Sequence, residues 1–197
     1  MRKSIALAVT AATTAGLAAF VPTAADAASC TVTTLNCGAS TATTFTITGG
    51  TLSISVPDTA DLGTYASSAT GTTVQGLLTD ASNTPTVVTD TRGGLLDSWQ
   101  VAVTASDFTT GGGTVPETVL GSTVTAWSGN VTVTNTGGTK TQTTSTAPVA
   151  ATGALPIASN TGYAGNDSAS YTPTISVLVP GTNASGTYSG TITQTVS

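Results

Sequence analysis

The chain has no histidine, one glutamate (Glu117) and, past its first three residues, a single arginine (Arg92) and a single lysine (Lys140). The lack of histidine rules out Ser-His-Asp and Cys-His catalytic arrangements and removes the commonest ligand for a transition metal. A Ser-Lys dyad would have to use Lys140, which lies in the polar run Gly138-Thr139-Lys140-Thr141 with no apolar surroundings to lower its pKa. Four basic against nine acidic residues leave phosphate unneutralised, so nucleic acid and anionic lipid are excluded as partners. Helix-forming runs of Leu, Glu, Lys and Arg are missing too, and no calcium-loop pattern is present. No cofactor and no metal are expected.

Asp58, Asp61, Asp80, Asp90, Asp97 and Asp107 could in principle pair as glycosidase carboxylates. Most of them border turns, where aspartate is favoured because it bonds the local backbone. The expectation is a chain that is not an enzyme.

Met1-Arg2-Lys3 places two positive charges before an uncharged apolar stretch from Ile5 to Val21, followed by Pro22 and the small-residue site Ala25-Asp26-Ala27. That order predicts a secretory signal peptide over 1–27 and a mature chain from Ala28. No later run is long enough to span a bilayer, so a secreted, extracellular or wall-associated protein without membrane insertion is expected. Cys30 and Cys37, an even pair in an exported chain, are predicted to form a disulfide. Its short loop would pin a terminus rather than hold a domain together.

What the chain does have is threonine, valine and a period of two. Leu52, Ile54 and Val56 alternate with small polar residues, as do Trp99, Val101 and Val103, then Val131 and Val133, then Ile175, Val177 and Val179. Such alternation marks half-buried strands, and β-branched residues suit a pleated surface. Strands are predicted at 43–48, 51–56, 72–78, 85–90, 98–105, 122–127, 130–134, 171–179 and 187–196, with Gly49-Gly50 closing a hairpin between the first two. The fold class is all-β: an antiparallel Ig-like β-sandwich of about nine strands in one domain, 28–197. The aperiodic stretch 137–166 reads as a long surface loop or edge excursion. Gly63-Thr64-Tyr65 and Gly186-Thr187-Tyr188 match over three residues, which chance explains in so Gly- and Thr-rich a chain.

The most informative stretch runs from Val87 to Val103. A strand enters a turn bearing Asp90, Arg92 and Asp97, and a second strand opens on Trp99. Two readings stand side by side. In one, Trp99 fills the core and Asp90 and Arg92 hold the turn by a charge-assisted hydrogen bond. In the other, Asp90, Arg92, Asp97 and Trp99 belong to a recognition surface for sugar or peptide.

Leu52-Ser53-Ile54-Ser55-Val56-Pro57, Val88-Thr89-Asp90-Thr91-Arg92-Gly93, Trp99-Gln100-Val101, Tyr171-Thr172-Pro173-Thr174-Ile175 and Gly186-Thr187-Tyr188-Ser189-Gly190-Thr191 together resemble the WxL-type cell-surface proteins of Gram-positive bacteria, over roughly residues 50–197. The first Trp-x-Leu motif is Trp-x-Val at Trp99–Val101, and Gln194-Thr195-Val196 takes the place of the second. The resemblance implies noncovalent attachment to peptidoglycan, with a cell-wall polymer or other surface proteins as partners. A structural or adhesive subunit that binds other proteins is the alternative.

Overall fold

A computed structural model describes residues 41–135 and 137–197. Contacts divide the chain into two compact units, Met1–Thr46 and Ile47–Ser197. The predicted signal peptide over 1–27 and the predicted Cys30–Cys37 pairing fall outside the described residues.

The described residues form antiparallel sheets with fourteen strands, several of them only two residues long. The first six are β1 (Leu52–Ser55), β2 (Thr72–Leu77), β3 (Thr86–Asp90), β4 (Asp97–Ala105), β5 (Phe108–Thr109) and β6 (Thr118–Val119). After them come β7 (Val124–Trp127), β8 (Thr132–Val133), β9 (Thr139–Gln142), β10 (Val149–Ala150) and β11 (Thr152–Tyr163), then β12 (Asp167–Tyr171), β13 (Thr174–Val179) and β14 (Ile192–Val196). The only helical pieces described are single 3₁₀ turns at Val115–Glu117 and Gly121–Thr123, and no described helix is long and apolar enough to cross a membrane.

Three four-stranded sheets run in the orders β1-β3-β12-β8, β10-β7-β13-β2 and β14-β4-β11-β9. The first two are joined where β12 passes into β13 across only Thr172 and Pro173. Pro173 cannot donate to a ladder, so the predicted strand 171–179 breaks there into two. The arrangement is sandwich-like, with Trp99, Val101 and Val103 of β4, Val88 of β3, Ala169 of β12, Ile175 of β13 and Ile157 of β11 in one apolar cluster. Each such valine or isoleucine contributes about 1.5–3 kcal/mol when fully buried.

Two expectations are corrected. No strand forms at 43–48, and Gly49-Gly50 closes no hairpin. Gly50 instead donates to Thr91 O at 2.7 Å, and a Cβ on Gly49 would collide with the Arg92 carbonyl oxygen, so both glycines serve close approach of this segment to the β3–β4 turn. β1 accordingly pairs with β3, Leu52 opposite Asp90.

The second correction concerns 137–166: β9 does lie at a sheet edge, as an edge excursion would, but the stretch is not only that. It supplies β11, a strand inside its sheet between β4 and β9. Register shifts between Thr152 and Pro156, between Pro156 and Ala158, and between Thr161 and Tyr163 break the period of two, which is why the sequence pattern hides this strand. On β9, Lys140 and Gln142 close the sandwich edge by gripping one residue of the other layer: Lys140 Nζ donates to Val131 O at 2.5 Å, and Val131 N donates to Gln142 Oε1 at 2.9 Å.

Candidate functional site

Asp90 ends β3 with its side chain wholly buried. Arg92 closes back on it: Nε donates to Oδ1 and Oδ2 at 3.0 Å each, Nη2 donates to Oδ2 at 2.6 Å, and the Arg92 backbone N–H donates to Oδ1 at 2.9 Å. Nη2 also reaches Ser98 O at 2.6 Å, tying the start of β4 into the turn. From the core, the buried Tyr163 hydroxyl donates to Asp90 Oδ2. The Arg92 hydrogen bond holds the Asp90 carboxyl down to about 2, against the opposing cost of burial. Burial and the Asp90 bond push the Tyr163 hydroxyl up.

The opposing residue across the β3–β12 pair is Asp167. Two carboxylates directly opposed would repel, and each is satisfied by its own donors. Trp99 Nε1 donates to Asp167 Oδ2 at 2.8 Å, Asn160 Nδ2 donates to the same oxygen at 2.9 Å, and Asn135 N donates to Oδ1 at 3.2 Å. Among the described residues no buried side-chain polar atom lacks a partner. Such a network fixes the core and the turn, with its buried side-chain polar atoms engaged internally.

Of the four residues singled out from sequence, the structure brings Asp90 and Arg92 into contact and places Trp99 in the core at 1% exposure. Asp97 stays local, accepting the Gly94 N–H at 2.6 Å. The recognition-surface reading is therefore corrected for Asp90 and Trp99, whose side chains are sealed from solvent. Their partners Asn160, Tyr163 and Asp167 were missed, because two of them fall on the hidden strand β11 and the third just beyond it. The only local signal was an isolated tyrosine and asparagine in an otherwise small-residue run. Asp61 and Asp80 likewise stay local, accepting Gly63 N and Ser82 N, whereas Asp107 reaches across to accept Gly121 N.

Beside the part-exposed Arg92, the β3–β4 turn offers two bare apolar side chains to solvent. Leu95 and Leu96 are 85% and 80% exposed, on a turn braced by Asp90–Arg92, by Asp97 and by Gly165 N donating to Gly94 O at 2.8 Å.

The opposite end of the molecule carries a groove of about 810 Å³ between segments 56–68 and 180–191. Leu62, Val74, Phe108, Val177 and Ile192 contribute its apolar lining, and the exposed Asp58 and Asp61 also line it. The two Gly-Thr-Tyr triplets meet here. Tyr65 is anchored by its hydroxyl donating to Gln75 O at 2.6 Å, and Tyr188 by its hydroxyl donating to Ala184 O at 2.8 Å.

A third surface is the outer face of the β14-β4-β11-β9 sheet. Alternation along β4 turns Trp99, Val101 and Val103 inward, leaving Ser98, Gln100 and Thr104 outward. Register then assembles rows: Thr139, Thr161 and Ser98 in one, and Thr141, Ser159 and Gln100 in the next, with Thr193 beside Thr104. These positions carry hydroxyls and an amide and no charge. Compared with family models and with curated proteins, the sequence matches none.

Proposed function

We propose that this chain is an exported, noncatalytic component of the bacterial cell envelope that holds to the wall polymer, peptidoglycan, without a covalent bond. The observation that carries the reading is the uncharged hydroxyl and amide face of the β14-β4-β11-β9 sheet, whose rows present donors and acceptors at the roughly 4.8 Å strand spacing. A polyhydroxylated glycan strand can exchange hydrogen bonds with such a face in place of water. The signal-peptide pattern over 1–27 and the resemblance to WxL-type proteins support the location.

Because the face lacks charge, binding should depend little on salt. Purified peptidoglycan should pellet the leaderless chain at both low and high ionic strength. Removing the hydroxyls of Ser98, Thr139 and Thr161 together, as alanines, should weaken binding roughly 100-fold at about 1 kcal/mol per hydrogen bond. A folded parent chain that stays in the supernatant at every salt concentration sinks the wall reading.

A second reading, a subunit of a surface complex that contacts other proteins, is favoured by one specific observation. The turn considered for sugar or peptide recognition presents two bare leucines beside the part-exposed Arg92, and adjacent exposed apolar side chains on a braced turn suit a protein pocket better than a glycan.

A further inference from the structure

Past its first three residues the chain has one lysine, Lys140, and among the described residues one side-chain amide is buried, that of Asn160 at 1% exposure. The β9–β11 register sets the two directly opposite each other. Cross-strand partners project to the same face with their Cβ atoms about 5 Å apart, and Asn160 projects inward, toward Asp167. Lys140 follows it. The residue is exposed at the sheet edge, yet its Nζ turns in to Val131 O of the facing layer.

Asp167 is the third member of the group. Its buried carboxylate accepts Asn160 Nδ2 at 2.9 Å and Trp99 Nε1 at 2.8 Å on the same oxygen, so an acid is held against the amide nitrogen. At the other end of the amide, a Cβ on Gly138 would stand 2.8 Å from Asn160 Oδ1. The amide thus has its oxygen toward the start of β9 and its nitrogen on Asp167.

We propose that Lys140 and Asn160 join in an intramolecular amide bond, made by the folded chain itself with Asp167 as the proton carrier. An amine and an unactivated amide are inert toward each other when free in water. Fixed as neighbours beside an acid, they gain the advantage of an intramolecular reaction with acid–base assistance. The move from Val131 O to Asn160 Cγ is within reach of the flexible four-carbon lysine stem.

The Lys140 ammonium gives one proton to Asp167. The freed lone pair forms the Nζ–Cγ bond, the Cγ–Nδ2 bond breaks, and the attacking nitrogen and Asp167 each pass one proton to Nδ2. The nitrogen of Asn160 leaves as ammonium, and Asp167 is a carboxylate again. Nothing is oxidised or reduced. The new amide keeps one N–H to replace Nδ2 as donor to Asp167, so the network around Trp99 stays satisfied. The bond ties β9, an edge strand with a single ladder, to the interior strand β11, whatever the outer face of that sheet binds.

Mass spectrometry of the folded, reduced chain without its leader tests the bond. The parent should be lighter than its sequence by one ammonia, and after digestion the segments holding Lys140 and Asn160 should appear as one branched peptide. Lys140→Arg keeps the charge at an exposed position but has no nucleophilic amine, so it should fold, show the full mass and melt below the parent. Asp167→Asn, once shown to be folded, should remain mostly unjoined over the same time.

Full mass in a folded parent after prolonged incubation near neutral pH overturns the proposal. So does a loss of ammonia that persists in Lys140→Arg, because that marks a cyclic imide at an asparagine and not a bond to lysine. A folded Asp167→Asn chain that joins as fast as the parent overturns the role given to Asp167.

Discussion

The two ends of the molecule solve opposite problems. At the turn end, charged and polar side chains gather densely: Asp90, Arg92, Tyr163, Trp99, Asp167, Asn160 and Asn135 form a network in which every buried polar atom is satisfied internally. At the groove end, the walls are loops held by backbone bonds, two tyrosine hydroxyls and the Asn183 amide around an apolar floor that stays open among the described residues. The lesson is that polar density does not mark a binding site. A cluster that has met its own hydrogen bonds is architecture, while unspent apolar surface on a fixed frame is where a partner can still gain free energy.

The sharpest way to break this contrast is to remove the centre of the network. Trp99→Ala should destabilise the protein by about 3–5 kcal/mol, the cost of emptying a large aromatic site, and it strips Asp167 of its indole donor as well. Chemical denaturation measures the loss. Trp99→Phe, which keeps a ring but not the N–H, should recover part of it, and the difference isolates the hydrogen bond. A loss below about 1 kcal/mol for the alanine variant would mean the turn end is no tighter than an ordinary surface.

Titration of Asp90 should have the next largest effect. Its folded pKa lies below the ordinary carboxylate value of 3.8, at about 2. The clamp's contribution is therefore complete above about pH 4 and is lost as pH falls toward 2. Allowing for solvent at Arg92, it amounts to about 1–2 kcal/mol. Stability measured across this window should fall more steeply in the parent than in Asp90→Asn, whose profile should be flatter. Identical slopes would remove the ion pair from the account of the turn.

The smallest effect belongs to the groove end. Tyr65→Phe removes the hydroxyl that ties segment 56–68 to Gln75 while leaving the ring in place, so it should cost about 1 kcal/mol or less. Proteolysis within 56–68 should nonetheless speed up several-fold, because that bond holds the loop itself rather than the core. Unchanged cleavage would show that the groove wall is held by packing alone.

Some of this was legible in advance. Alternation at Trp99, Val101 and Val103, at Val131 and Val133, at Leu52, Ile54 and Val56, and at Ile175, Val177 and Val179 named the inward faces; Trp99, Val101, Val103, Val131, Ile175 and Val177 are buried, Leu52, Ile54, Val133 and Val179 are half-buried, and Val56 is exposed. The Asp90–Arg92 turn was legible as well, since an acid and the only arginine past residue 3, two residues apart on a turn, have few other partners. β11 was not, because three register shifts and the residues Gly153, Pro156 and Gly162 erase its periodicity. With β11 hidden, Asn160 and Tyr163 could not be assigned inward positions, nor could the self-sufficiency of the cluster be foreseen. The two Gly-Thr-Tyr triplets, discounted as chance, turned out to line one groove, a convergence that no count of three-residue matches could reveal.

By itself, the sequence determined that this chain is written for β-structure, that it lacks histidine and that it is poor in the cations on which several chemistries depend. Those properties are local or compositional: residue type and a period of two act within a few positions of the chain. Tertiary structure alone decided which acids are buried, which leucines are bare and which loops enclose a groove. Each of these depends on pairings between residues tens of positions apart, such as Asp90 with Tyr163 or Tyr65 with Tyr188 across one groove. Such pairings follow from strand register and layer packing, which no short window of sequence encodes.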